Sequence, residues 1–267
     1  MSVMDRLRNP ILIREIDHRM RDNRTYFIPM VYILILGMVA LAAYLVIVQT
    51  GSDYNPVEGW VIGKAIFHLI AFTQMALIIL LVPSVSAAAI TGERDRGTLA
   101  LLLVTPLPRG SIVAGKFLAP LLYVLLLIST SIPFAALSFG FGGTDLRLLA
   151  QAYACIVVTA LFLSSMGLAV STLMRRSVPA LLLAYGLVAA LIVGSGVAEI
   201  ALHIYDQDLE TIIFVYLNPF TPLVLNLYDS IDLTRHFLYW WITPLAELAM
   251  GLLLLLVAAL RIRSMRE

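Results

Sequence analysis

Six long apolar runs constrain this chain more than any other feature of its sequence. A helix crosses a hydrocarbon core about 30 Å thick with about 20 apolar residues, and its backbone amides must bond within the helix because no water reaches them. The 267 residues are 61% hydrophobic and only 13% charged, whereas soluble domains carry about 25% charged residues. The sequence therefore predicts an all-α, polytopic membrane protein. Its six predicted transmembrane helices are residues 26–48, 65–90, 117–139, 148–173, 178–200 and 237–260.

The basic residues predict how the chain is oriented in the membrane. Segments on one predicted side hold 15 Lys and Arg, and segments on the other side hold three. The basic set is 1–25, 91–116, 174–177 and 261–267, and the other set is 49–64, 140–147 and 201–236. Cytoplasmic loops carry the excess of Lys and Arg in membrane proteins. We therefore expect the basic set, with both termini, on the cytoplasmic side of the cell membrane.

Residues 1–25 predict an amphipathic helix that lies on the membrane surface. Asn9 is a suitable N-cap, and Pro10 fits the first helical position. Ile13, Ile16 and Met20 share one face, while charged residues occupy the others. This pattern is typical of an interfacial helix; a solvated tail is the other interpretation.

Two loops contain apolar stretches that are too short or too interrupted to span a membrane. In the loop 91–116, a segment from Leu99 to Val104 follows four charged residues and ends at a proline-rich turn. Exposed leucines are costly unless something covers them, so this segment either packs on its own bundle or the bilayer, or docks on a partner. Residues 201–236 contain an apolar stretch broken by prolines, which predicts re-entrant, half-membrane helices.

The order of these features resembles a known family. The amphipathic helix contains Asn9-Pro10 and Arg14-Glu15, and the second span is followed by Glu93-Arg-Asp-Arg-Gly-Thr-Leu99. The leucine cluster ends at Thr105-Pro106, and the third span opens with Gly115-Lys116. This arrangement resembles the permease subunits of type-2 ABC transporters, in the exporter-like class with six spans. The likeness in topology covers the whole chain, and the motif covers about 25 residues of it.

The resemblance implies a function and partners. Residues around 97–104 would form a cytoplasmic coupling helix that docks on a separate ABC ATPase subunit, and two permeases would form the substrate path with two ATPases. The second permease would be another copy or a paralogue, and transport would be export. The coupling and docking residues would be Glu93, Gly97, Thr98, Leu99, Leu101, Leu102, Thr105 and Pro106.

Motifs for catalysis are missing from the sequence. Residues 110–116 have the glycine and lysine spacing of a phosphate-binding loop, but Phe117 stands where a magnesium-ligating Ser or Thr is needed. No H-E-x-x-H or G-x-S-x-G motif occurs, and Cys155 is the single cysteine. We therefore expect no enzyme activity, metal or cofactor in this chain, with ATP and magnesium bound by the partner ATPase. A net charge of +1 gives no indication of nucleic-acid binding.

Polar and small residues inside the predicted spans are candidates for function. Glu247 lies near the middle of the last span, where a carboxylate is costly. It either lines the substrate path or a gate, or bonds to another helix; Glu199, nearer the outer surface, is a second candidate. Gly186, Ala190 and Gly194 put a small residue at every fourth position, which lets a helix approach closely. This face would pack within the chain or across a dimer.

Two other functions fit parts of the pattern. A membrane scaffold could dock an ATPase through the same leucines without moving a solute. An ion-coupled secondary transporter would commonly show internal repeats, and the sequence has no clear repeat. The spans lack a dense polar stripe, which is compatible with a lipophilic or small substrate.

Overall fold

A computed structural model gives the fold of the chain as a bundle of long helices. It describes residues 24–50, 59–99, 109–142, 144–205, 218–221, 223–224 and 233–264. Within these residues there is no β-strand, and six helical stretches are long and apolar enough to cross a membrane. The helices are α1 (Arg24–Thr50), α2 (Gly59–Ser86), α3 (Thr91–Asp95), α4 (Arg109–Thr130), α5 (Ile132–Gly140), α6 (Leu146–Leu173), α7 (Ser177–Tyr205) and α8 (Leu233–Ser264).

The all-α fold with six spans is therefore confirmed. The predicted amphipathic helix before residue 24, the segment 100–108 and most of the predicted re-entrant segment lie outside the described residues. Two of the spans are divided, because α2 is followed by a turn before α3 and α4 is followed by a break before α5.

Helix α6 forms the centre of the bundle. Its most apolar stretch is 78% buried, whereas the corresponding stretches of α1, α7 and α8 are 22% buried. Helix α6 contacts α2, α4, α7 and α8. It presents small and polar residues along its length, so that its neighbours can approach closely on several sides at once.

A very close helix contact joins α6 to the end of α2 at Gly167. A Cβ atom at this position would lie 1.9 Å from Ser86 Oγ, 2.7 Å from Ser86 Cβ and 3.1 Å from the backbone nitrogen of Ala87. No real Cβ atom tolerates these distances, so only glycine fits between the two helices. This contact holds the residues that follow Ser86 against the end of α6.

The third span breaks next to a proline. Helix α4 ends at Thr130, and α5 begins at Ile132 with Pro133 in its first turn. The buried Ser131 hydroxyl donates to the Ile128 carbonyl at 2.7 Å and lies 2.7 Å from the Tyr153 hydroxyl. Proline cannot donate a helical hydrogen bond, and Ser131 ties the break to α6.

The described part of the segment before the last span packs into the bundle. Asn218 accepts a hydrogen bond from the backbone N–H of Phe220 through its side chain, at 3.0 Å. Phe220 stacks on Phe72 of α2, with ring centroids 6.3 Å apart, and Leu223 is buried in the main core. These contacts join the described part of the segment to α2 and the main core, and the half-membrane helices stay a prediction.

Candidate coupling site

The short helix α3 ends in a turn that requires glycine. Gly97 has a φ of +71°, in the left-handed region that side chains disfavour. The Gly97 N–H donates to the Arg94 carbonyl at 3.1 Å, and the Thr98 N–H donates to the Glu93 carbonyl at 2.9 Å. This pair of bonds is the Schellman motif, in which a left-handed glycine ends a helix. The chain therefore turns sharply at Gly97, immediately before the predicted docking segment.

Three side chains join the two ends of the loop 99–108. The Lys116 ammonium nitrogen lies 2.8 Å from Glu93 Oε1, and the Thr98 hydroxyl donates to the other carboxylate oxygen of Glu93. The Lys116 side chain is only 3% exposed, and that of Glu93 is 22% exposed. Glu93 comes from α3 and Lys116 from α4, so this ion pair connects the end of the second span to the start of the third. We call Glu93, Thr98 and Lys116 the clamp.

Helix α3 is also bonded to the turn between α6 and α7. Arg94 donates to the Met174 carbonyl, and Asp95 Oδ2 accepts the backbone N–H of Ser177 at 3.0 Å. Asp95 thereby satisfies a donor at the start of α7, where a negative charge is favoured. Four spans thus meet at α3, because α2, α4, α6 and α7 all end beside it or bond to it.

A buried serine of α6 accepts hydrogen bonds from the start of α3. Ser171 of α6 accepts hydrogen bonds from the backbone N–H groups of Ile90 and Thr91 at 2.9 and 3.0 Å. These donors begin α3 and have no partner within a helix of this length. The serine therefore fixes the position and direction of α3 relative to the central helix.

The predicted docking residues are only partly described. Leu99 is half-buried and packs against the cluster that includes Ile90, Leu168 and Ile262. Its side chain therefore covers the end of the bundle. Leu101, Leu102, Thr105 and Pro106 lie outside the described residues.

Comparison with known protein families gives one extended match. The family described as "ABC-2 family transporter protein" matches residues 9–262. The chain belongs to the ABC-2 transporter family. Membership makes this protein a multi-pass permease subunit of an ABC transporter, a transport component rather than a catalytic one, and implies association with ABC ATPase subunits. No curated protein matches the chain.

The second candidate site in this ABC-2 permease is Glu247, which is buried between α6 and α8. Its side chain is 1% exposed, and Oε2 accepts a hydrogen bond from the Thr159 hydroxyl of α6 at 2.9 Å. Oε1 is buried and has no hydrogen-bond partner among the described residues. The Thr243 hydroxyl, one turn earlier on α8, is also buried without a hydrogen-bond partner among the described residues. Glu199 lies in α7, and its side chain is outside the described part of the chain.

The small residues of α7 lie on the outside of the bundle. Gly186, Ala190 and Gly194 are all exposed. A Cβ atom added at Gly186 or Gly194 would meet nothing within 4 Å. No described helix of the same chain packs on this face, so it is open to a lipid or to another subunit.

Sequence reasoning missed several residues of the site. The sequence places Lys116 only at the opening of the third span, and the structure buries it against Glu93. A lysine among apolar residues at the start of a span was the available signal for a buried pair. Ser171 and Ser177 carry no local signal, because their bonds connect residues about 80 positions apart.

Proposed function

We propose that this permease exports its substrate as one half of a pair, driven by separate ATPase subunits that dock on residues 99–108 on the cytoplasmic side. The observation that carries this proposal is the clamp. It fixes both ends of the loop 99–108 to each other through the Glu93–Lys116 ion pair. A force applied to the loop therefore acts on α3 and α4 together.

The contacts around α3 supply a route for that force. Arg94 and Asp95 bond to the turn that leads into α7, and Ser171 of α6 bonds to the start of α3. Displacing α3 would move the ends of α6 and α7, because hydrogen bonds and not only apolar contacts join them. In this proposal α3 and the helix ends bonded to it move as a unit, and the docked ATPase would bias that unit between two arrangements.

The exposed face of α7 supports a pair of permeases. Gly186, Ala190 and Gly194 are open to close approach, and small residues of this kind let two helices pack closely in a bilayer. A two-fold arrangement would bring this face against its copy or against a paralogue. The substrate would then pass between the two subunits.

Glu247 has a restricted part in this proposal. It is sealed against Thr159, so a substrate reaches it only if α6 and α8 separate. We propose that the Glu247–Thr159 bond closes the path in the conformation described, and that Glu199 lies nearer its outer end. ATP and magnesium bind in the partner ATPase.

A charge-swap experiment tests the role of the clamp. The tagged chain is purified from native membranes in mild detergent, partner proteins are identified by mass spectrometry, and ATP hydrolysis by the recovered complex is measured in vesicles. We expect the Glu93→Lys and Lys116→Glu variants each to copurify with the ATPase but to lose the permease-dependent stimulation of ATP hydrolysis. The double swap should regain that stimulation. Arg147→Glu, at the opposite end of α6, is the matched control and should leave stimulation unchanged.

Two results would contradict the proposal. If no ATPase copurifies under conditions that preserve comparable complexes, docking on this chain is wrong. If both single swaps keep full stimulation, the clamp does not transmit force. An ATPase that copurifies and is stimulated without ATP-driven movement of any solute would favour a scaffold function.

A further inference from the structure

We propose that Arg96, Arg175 and Arg176 form a binding site for the phosphate of an anionic phospholipid headgroup, a site separate from substrate transport. All three side chains are exposed. Arg96 follows α3, whereas Arg175 and Arg176 form the turn between α6 and α7. Guanidinium groups bind phosphate, as they bind carboxylate, through paired N–H donors, and the phosphodiester of a lipid headgroup presents a suitable pair of oxygens.

Two hydrogen bonds bring these arginines together although they are about 80 residues apart in the chain. Arg94 donates to the Met174 carbonyl, next to Arg175. The Ser177 N–H, next to Arg176, donates to Asp95 at 3.0 Å. Each of the three arginines therefore neighbours a residue that crosses between the two segments, and the cluster is held by the fold.

The charge of the cluster is not balanced by nearby carboxylates. Asp95 interacts electrostatically with Arg94 and Arg176, so this one carboxylate is shared between two arginines and cannot neutralise the whole group. Within the part of the chain that the structure describes, none of Arg96, Arg175 and Arg176 forms an ion pair within 4.0 Å. An anion that approaches from outside the bundle would find their N–H donors accessible.

The length of α6 is compatible with a position of the cluster at the level of lipid headgroups. A helix of 28 residues is about 42 Å long at about 1.5 Å per residue, and a bilayer with its headgroups is about 40–45 Å thick. The turn that follows α6 cannot project far beyond that layer. Leu173 and Val178, on either side of the arginines, are 49% and 69% exposed, which suits contact with lipid. These positions favour a lipid over an acidic protein surface.

Native mass spectrometry can measure this site directly. The full chain, purified in mild detergent, is titrated with phosphatidylglycerol or with phosphatidylcholine, and bound lipids are counted. We expect a preference for phosphatidylglycerol that falls by about fivefold for each arginine replaced by glutamine, since each basic residue near an anionic surface contributes a comparable factor. The Arg→Lys variants should keep most of the preference, and Arg147→Gln should keep all of it.

Other outcomes would overturn the assignment. Equal binding of the two lipids, or an unchanged preference in the triple Arg→Gln variant, would show that the cluster does not select anionic headgroups. If inorganic phosphate binds the full chain as strongly as phosphatidylglycerol does in the same titration, the cluster is a free-anion site instead. Loss of the copurifying ATPase with lipid binding intact would assign a protein contact. If the triple variant unfolds in phosphatidylcholine, the three single variants carry the same comparison.

Discussion

Adding one methyl group at Gly167 should separate the two helices that support α3. In the Gly167→Ala variant the new Cβ would lie 2.7 Å from Ser86 Cβ and 3.1 Å from the Ala87 nitrogen. Restoring an ordinary contact of about 3.4 Å requires a displacement of about 0.7 Å, and interiors are packed too tightly to absorb it freely. The Ser86 hydroxyl, which donates to the Val82 carbonyl at 2.8 Å, would also have to rotate away.

The expected cost follows from two opposing terms. Overpacking a well-packed core costs about 1–3 kcal/mol, and replacing glycine by alanine inside a helix returns about 0.5–1 kcal/mol. We therefore expect Gly167→Ala to lower the free energy of unfolding by an amount between about 0 and 2.5 kcal/mol, with a central value of about 1 kcal/mol. The loss should appear as a lower midpoint of thermal unfolding in a fixed detergent.

Two other glycines provide controls of graded severity. Gly186→Ala meets nothing within 4 Å, and Gly251→Ala meets the Ser165 hydroxyl at 3.4 Å, an ordinary contact. We expect the first to be neutral or stabilising, the second to be near neutral, and Gly167→Ala alone to destabilise. Adding Ser86→Gly to Gly167→Ala should restore much of the loss, because it removes both side-chain atoms that clash. If Gly167→Ala is as stable as Gly186→Ala, the close approach of α2 and α6 is wrong.

Two further predictions concern charged residues inside the bundle. Glu93→Ala should destabilise the protein more than Lys116→Met, because it removes the carboxylate from a lysine side chain that is only 3% exposed, and breaking a buried pair costs about 3–5 kcal/mol. The double variant Glu93→Gln/Lys116→Met should recover most of the loss. Thermal unfolding of the three variants tests this, and equal losses in the two single variants would contradict it. Thr159→Val should cost about 1–3 kcal/mol, because it removes the hydrogen bond to buried Glu247, whereas Glu247→Gln should stay within about 1 kcal/mol of the parent protein. If Glu247→Gln keeps stability but loses ATP-driven export, Glu247 acts on the substrate path, and if it loses neither, its role is helix contact alone.

Most of the fold could be predicted from the sequence because the membrane imposes it. A run such as 148–173 without a charge has few alternatives to a buried helix, and α6 lies at residues Leu146–Leu173. The breaks were harder to predict. Pro133 marked one of them, but the turn after Ser86 depends on packing against Gly167, which is 81 residues away and carries no local signal.

The candidate site could be predicted only in part for the same reason. Glu93, Gly97 and Thr98 are adjacent in sequence and form a recognisable pattern, so a resemblance found them. Their supports, Lys116 and Ser171, come from other helices. A pattern along the chain contains no information on which residue of a distant span will meet it.

The geometry also explains what the Glu-x-x-x-Gly-Thr pattern specifies. Gly97 is required by a positive φ, and Glu93 and Thr98 are required because their side chains bond to each other and, through Glu93, to Lys116. The Thr98 N–H bond to the Glu93 carbonyl would form with any residue except proline at position 98, so the contribution specific to threonine is its hydroxyl. These residues therefore specify how the loop 99–108 is held and not what it binds. A permease could change its ATPase partner through residues inside the loop, or its substrate through the spans, while the clamp stayed the same.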